Sequence, residues 1–208
     1  MFSIRCLMIS LVPALTLALT LWAGASPASA MTCKERFIQA ATQGNGDGQY
    51  RQIVTQKIEN VPDATVQEFI MNGPRHWVSK SLEPKTGGWT LLFEGAMYTS
   101  ADQGETWRQI SKFDEAAAEK ARAQQEKDVE AATDIECSVE TVDSTPLDRV
   151  GGTYEVTTGF RNKQVHTYWF DQTSGIIVQS RYETIAPNFR STVSQQMIPF
   201  ADVKVPTP

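Results

Sequence analysis

From Tyr50 onward the chain is cut into short runs of alternating side chains, each ended by a break rich in Gly, Pro, Asp or Asn. A period of two places successive side chains on opposite faces of a strand. A short polar break then brings the next strand back beside the last, so the pattern predicts an antiparallel meander. Tyr50, Gln52, Val54 and Gln56 alternate with Arg51, Ile53, Thr55 and Lys57, and residues 66–71 form a second run. Beyond Arg75, His76, Val78, Lys80 and Leu82 share one face and Trp77, Ser79 and Ser81 the other. Residues 83–88 make a strong turn, after which Trp89, Leu91 and Phe93 alternate with Thr90, Leu92 and Glu94. Met97 and Tyr98 follow Gly95, and a turn at 102–104 leads into a strand at 106–110. Strands return at 135–142, at a run opened by Gly151-Gly152, and at 164–170, 176–185 and 190–198. In the Gly151 run Tyr154, Val156, Thr158 and Phe160 share a face, while residues 143–148, with Pro146, read as a loop. The last four strands predict a large, twisted antiparallel sheet.

Two segments break this rhythm. Residues 34–43 carry Phe37, Ile38, Ala40 and Ala41 at helical spacing. Residues 113–132 contain Ala, Glu, Lys, Gln and Arg with no Gly or Pro, which are the strongest helix formers. The apolar positions of this second helix are mostly alanine, so it has a thin buried stripe; it reads as a surface helix, with a movable lid as the alternative. Between the short helix and the first strand lies Gly44-Asn45-Gly46-Asp47-Gly48, a turn or loop. Read as a calcium loop, it lacks the run of acidic ligands and the distal glutamate. The expected fold is therefore mainly β: a curved antiparallel sheet or incomplete β-barrel with one long helix and a short N-terminal one.

The first 30 residues belong to a different kind of segment. Arg5 precedes an uncharged apolar stretch, and Ala28-Ser29-Ala30 offers a small-x-small cleavage pattern. This reads as a secretory signal peptide over 1–30, with a retained membrane anchor as the alternative. The remaining 31–208 form one domain in this reading, exported to the periplasm, with no permanent membrane span after cleavage. The net charge of −5 becomes one unit more negative without Arg5. A mildly acidic chain of this kind does not hold nucleic acid by bulk charge. Cleavage also removes Cys6 and leaves Cys33 and Cys137, an even pair that reads as a disulfide in an oxidising compartment. Closing a loop of that size stabilises a fold by up to about 4.7 kcal/mol in the chain-entropy picture.

Catalytic motifs are absent from the pattern: no nucleophile elbow, no histidine zinc motif, no phosphate loop and no dinucleotide fingerprint. His76 and His166 read as ordinary sheet residues, and no metal, cofactor or enzymatic activity is expected. The apolar groups are more suggestive. His166, Tyr168 and Phe170 share one face while Val165 and Trp169 share the other, and Leu92 opposes Leu91 and Phe93. A sheet apolar on both sides is covered twice or lines a cavity. Trp77, Trp89, Phe93, Tyr168 and Phe170 are the candidate lining residues, with a plain packed core as the competing reading.

Three stretches resemble the LolA/LolB-like periplasmic lipoprotein-carrier superfamily: His76 through Pro84 to Phe93; Ala96-Met97-Tyr98-Thr99 with Gly104-Glu105-Thr106-Trp107; and Tyr168-Trp169-Phe170-Asp171 with Thr173-Ser174-Gly175-Ile176. Together they span most of residues 50–200 and consist of strand and turn patterns, so no individual functional residue transfers with them. The resemblance implies an incomplete β-barrel covered by helices, with an apolar interior that in relatives holds acyl chains or hydrophobic ligands. The expected partner is thus a hydrophobic or lipid-like ligand. The alternative is an envelope protein, held by a non-catalytic interaction or sensor module.

Overall fold

The computed structural model describes residues 31–85, 88–199 and 204–208. The segment read as a leader, 1–30, lies outside the described residues. The chain opens with helix α1 (Cys33–Gln43) and six strands: β1 (Gln49–Ile58), β2 (Thr65–Asn72), β3 (His76–Glu83), β4 (Trp89–Phe93), β5 (Ala96–Ser100) and β6 (Arg108–Lys112). Helix α2 (Glu115–Glu130) follows, then β7 (Thr133–Val142), β8 (Thr145–Val156), β9 (Asn162–Asp171), β10 (Ile177–Ala186) and β11 (Phe189–Pro199). All the pairings are antiparallel, in one curved, unclosed sheet of order β6-β5-β4-β3-β2-β1-β11-β10-β9-β8-β7. The meander is thus two consecutive runs, joined where β1 pairs with β11 and Gln52 faces Met197.

Two strand boundaries differ from the sequence reading. The predicted loop at 143–148 is a two-residue turn, Asp143-Ser144, with φ of 47° and 67°. Positive φ at both positions is the turn geometry whose twist matches a hairpin, so β7 and β8 run up to it and Pro146 lies inside β8. At its other end β8 stops at Val156, which leaves Thr158 and Phe160 beyond the strand. Phe160 is exposed and packs edge-on against Phe189 at 6.0 Å.

Helix α1 begins with a reciprocal cap. The Thr32 hydroxyl accepts from the Glu35 amide at 3.2 Å, and the Glu35 carboxylate accepts from the Thr32 amide at 2.7 Å. The helix drives Phe37, fully buried, onto Tyr168 at a ring separation of 6.1 Å. Burying such a ring contributes about 1.5–3 kcal/mol. Arg36 adds a second anchor: its guanidinium sits 4.2 Å above the Phe170 ring and donates to Asp148 at 2.8 Å. The Cys33–Cys137 disulfide, with a Cα–Cα distance of 5.9 Å, ties the start of α1 to β7. Asn45, in the glycine-rich turn, is not arranged as a metal ligand. Its side-chain amide donates to the Ile177 carbonyl and accepts from the Ile177 amide, both at 2.9 Å, and so continues the sheet pairing at the head of β10.

The core built by α1 also uses Val129, Val150, Tyr154 and Met197. A second buried group lies on the opposite face of the sheet, where Val78, Leu91 and Tyr98 are paired across β3, β4 and β5. Val78 and Leu91 are buried there. The loop after β5 folds over Trp89 on this face, with Gly104 packed against the indole, and the His76 ring meets the Pro206 carbonyl of the C-terminal segment at 3.0 Å. The sheet is therefore covered on opposite faces in its two halves.

Gly152 explains how α1 comes so close. A Cβ at this position would lie 2.8 Å from two ring atoms of Phe37. Gly152→Ala should destabilise the fold by about 1–3 kcal/mol, the usual cost of overpacking. Urea unfolding monitored by circular dichroism measures it; an unchanged midpoint would mean that Phe37 does not fill this space.

Candidate functional site

Helix α2 begins on Asp114, whose carboxylate accepts from the amides of Ala116 and Ala117 at 2.9 and 3.2 Å. Of its sixteen residues only Asp128 and Val129 are buried, both near its C-terminal end. Val129 enters the α1 core. Asp128 latches the helix to the end of β8: it accepts from the Thr157 hydroxyl at 2.7 Å, from the Thr157 amide at 3.3 Å and from Gln124 at 3.0 Å. At the other end, the Phe113 amide donates to the Gly95 carbonyl at 2.8 Å, and Glu115 meets Arg75 at 2.5 Å in an exposed pair. The helix is thus fastened at both ends, while its alanines leave the middle thinly packed.

Two clefts lie between α2 and the sheet. The first, of about 330 Å³, is lined by Leu92, Gly95, Pro74, Arg75, Phe113 and, from α2, Ala118 and Arg122 among others. The second, of about 460 Å³, lies towards the C-terminal end of the helix. Its floor comprises Tyr154 and Val156 of β8, Gln164 and His166 of β9, Tyr182 and Thr184 of β10, and Val193 of β11; its roof is Ala121, Gln124, Gln125 and Asp128.

Strand register sorts the five candidate lining residues. Trp77 is paired with both Leu92 and Met71 and shares their face, towards α2. It is half-buried and meets the Phe69 ring at 5.4 Å. Trp89 and Phe93 alternate with Leu92 and so point to the opposite face. Trp89 lies there under the Lys80 ammonium at 4.6 Å, and Phe93 against His76 at 5.0 Å. Tyr168 and Phe170 are on the α2-facing side, but both are buried beneath α1. The structure thus brings Trp77 to the helix-facing surface with Leu92, whose two-sided strand the sequence had marked, and with Phe69, Met71 and Met97, none of them among the candidate lining residues. Their signal was the register that continues the Trp77 face into neighbouring strands.

On β9 the two-sided apolar pattern resolves differently. The face of Val165 and Trp169 is lined with Glu140, Arg149, Arg181 and Glu183, and the Trp169 indole donates to Glu140 at 3.0 Å. That face is polar rather than a second core, because charged side chains of β7, β8 and β10 line it around the indole.

His166 is the most perturbed group in the second cleft. It packs against Tyr154 at 5.0 Å and Tyr182 at 4.4 Å, and its Nδ1 lies 2.8 Å from the Tyr168 hydroxyl. Burial disfavours its charged form and pushes its pKa down to about 4, while burial also pushes Tyr154 up to about 12. The imidazole meets the Tyr154 and Tyr168 phenols and the Gln164 side-chain oxygen, and among the described residues no carboxylate hydrogen-bonds to it. Among the described residues no cluster of His, Cys, Asp and Glu is arranged to hold a metal ion.

No family model matches the chain, and no curated protein matches it. Among solved structures, it is similar to a LolA superfamily protein from Nitrosomonas europaea, at 10% identity and a TM-score of 0.38, over 84% of this chain and 96% of that one. It is also similar to a domain named for outer membrane lipoprotein sorting from Vibrio parahaemolyticus, at 8% identity and a TM-score of 0.31, over 79% of this chain and 91% of that one.

The histidine gives a pH signature. With a folded pKa near 4 against an unfolded value near 6.5, the unfolded chain binds the extra proton between those limits. Stability from this group should be full above about pH 6.5 and fall as the pH drops towards 4, by roughly 3 kcal/mol in all. His166→Gln should flatten that part of the stability curve in urea titrations at stepped pH. An identical slope in wild type and variant would contradict the burial of a neutral imidazole.

Proposed function

We propose that this protein is a non-enzymatic periplasmic binding protein for a hydrophobic or lipid-like ligand, held between α2 and the curved sheet. The observation that carries this reading is the mismatch between the two surfaces. The sheet offers Phe69, Met71, Trp77, Leu92 and Met97 half-buried on the face towards α2. The helix answers with alanines and buries only two of its residues. Apolar area left partly wet in this way gains about 25 cal/mol for each Å² that a ligand removes from water. Concave, mostly apolar clefts with a few polar groups are the usual form of small-ligand sites. The periplasmic assignment rests on the leader pattern at residues 1–30 and on the disulfide. Among the described residues no helix is long and apolar enough to cross a membrane. Of the five aromatic candidates, Trp77 is the one this reading uses directly; Tyr168 and Phe170 share its face but are sealed under α1, and Trp89 and Phe93 lie on the opposite face of the sheet.

Protein purified without detergent should carry extractable lipid and should enhance the fluorescence of an apolar dye. Leu92→Gln, which places an amide in the first cleft, should weaken dye binding about fivefold to tenfold, the scale of 1–1.4 kcal/mol. Thermal unfolding of the variant serves as the control for folding. A wild-type protein with neither bound lipid nor dye response would contradict the reading.

A further inference from the structure

The second cleft differs chemically from the first. The first holds Arg122 and an Arg75–Glu115 pair beside Leu92 and Phe113. Among the described residues the second has no lysine or arginine in its lining: its formal charge is that of Asp128, and its floor presents the rings of Tyr154, His166 and Tyr182. These rings form a cluster, with centroid separations of 5.0 Å for Tyr154 and His166 and 4.4 Å for His166 and Tyr182. Hydrogen bonds fix the cluster, one from outside and one within. The Tyr182 hydroxyl donates to Gln195 at 3.2 Å, and the Tyr154 hydroxyl meets His166 Nε2 at 3.3 Å. Gln195 is in turn held by the Ser180 hydroxyl at 2.8 Å.

Charge in this cleft runs one way. Burial favours neutral His166 down to about pH 4, so the floor carries no cation at ordinary pH. Burial alone would raise the pKa of Asp128, but hydrogen bonds from Thr157 and Gln124 outweigh it and keep the carboxyl ionised. That charge is close enough to Tyr154 to add to the upward push of burial and of Tyr182 on its phenol. Aromatic faces attract a cation through their quadrupole, and a nearby carboxylate adds a full opposite charge in a partly desolvated setting. An anionic head group meets repulsion there and finds no guanidinium or ammonium to pair with.

We propose that the second cleft is a head-group site for a cationic amphiphile, with an amine or quaternary ammonium against Tyr154, His166 and Tyr182 and opposite Asp128. This rests on the reading of the hollow as an apolar-ligand site and names the chemistry of the ligand's polar end.

Calorimetric titration with three probes of equal chain length tests it: dodecyltrimethylammonium, dodecyl maltoside and dodecyl sulfate, each below its micelle concentration and at physiological salt. The trimethylammonium probe should bind about tenfold more tightly than the maltoside, which is about 1.4 kcal/mol, and the sulfate most weakly. Asp128→Asn keeps hydrogen-bonding capacity towards Thr157, and Tyr182→Leu removes one ring; in each, the ratio between the first two probes should collapse towards one. Two variants are used so that a failure of either to fold leaves the other informative. Equal affinity for all three probes, or preference for maltoside or sulfate, overturns the head-group site while leaving apolar binding intact. No binding of any probe overturns both.

Discussion

Helix α2 has too little apolar surface to seal the sheet face it lies over. An alanine side chain is a single methyl, so a helix of Ala, Glu, Lys, Gln and Arg forms readily but fills little space. Its fastening is confined to its ends: the Asp128–Thr157 latch and Val129 at one, Phe113 against Gly95 at the other. Everything between these points depends on how far the helix stands from the strands, and the two clefts are the volume left over.

The contrast with α1 is instructive because both helices lie on the same face. The shorter helix is sealed. Phe37 reaches the sheet where Gly152 has no side chain, and Tyr168 meets it edge-on. Arg36 and the disulfide hold it from either side. The half of the sheet under α1 is therefore a core. The strands β2–β5 place their best-buried side chains, Val78 and Leu91, on the other face instead, under the loop after β5 and beside the C-terminal segment. That switch leaves Phe69, Trp77 and Leu92 half-wet towards α2. The hollow follows from a sheet that changes which face it packs.

Much of this architecture could be read in the chain. Period-two runs between Gly, Pro and Asp turns gave nearly every strand, and the absence of Gly and Pro over 113–132 gave the long helix. The pairing of Cys33 with Cys137 followed from having two cysteines after the segment read as a leader. What escaped was long-range or conformational. Asp143-Ser144 forms a tight turn only because both residues accept positive φ, which composition does not announce beside Pro146. The pairing of β1 with β11 brings together residues nearly 150 positions apart, at Gln52 and Met197. Alternation divided the faces within each strand, but that Trp77 and Trp89 fall on opposite faces depended on the pairing of β3 with β4, and which face lies towards α2 on the pairing of β1 with β11. Trp169 read as part of a second apolar face and is instead a half-buried ring among charged neighbours, since a sequence does not show which charged side chains the neighbouring strands will place beside it.

The hollow exists only if apolar space between α2 and the sheet is unfilled, and filling it from the helix side is the plainest test. Ala118 faces the first cleft and Ala121 the second. The measurement is binding of a fluorescent apolar probe to the Ala118→Leu, Ala121→Leu double variant, with the melting temperature read on the same sample. The added side chains should occupy the hollow, so that probe binding is lost while the melting temperature holds or rises. A double variant that binds the probe as the wild type does, or that unfolds because the space was already full, would contradict it.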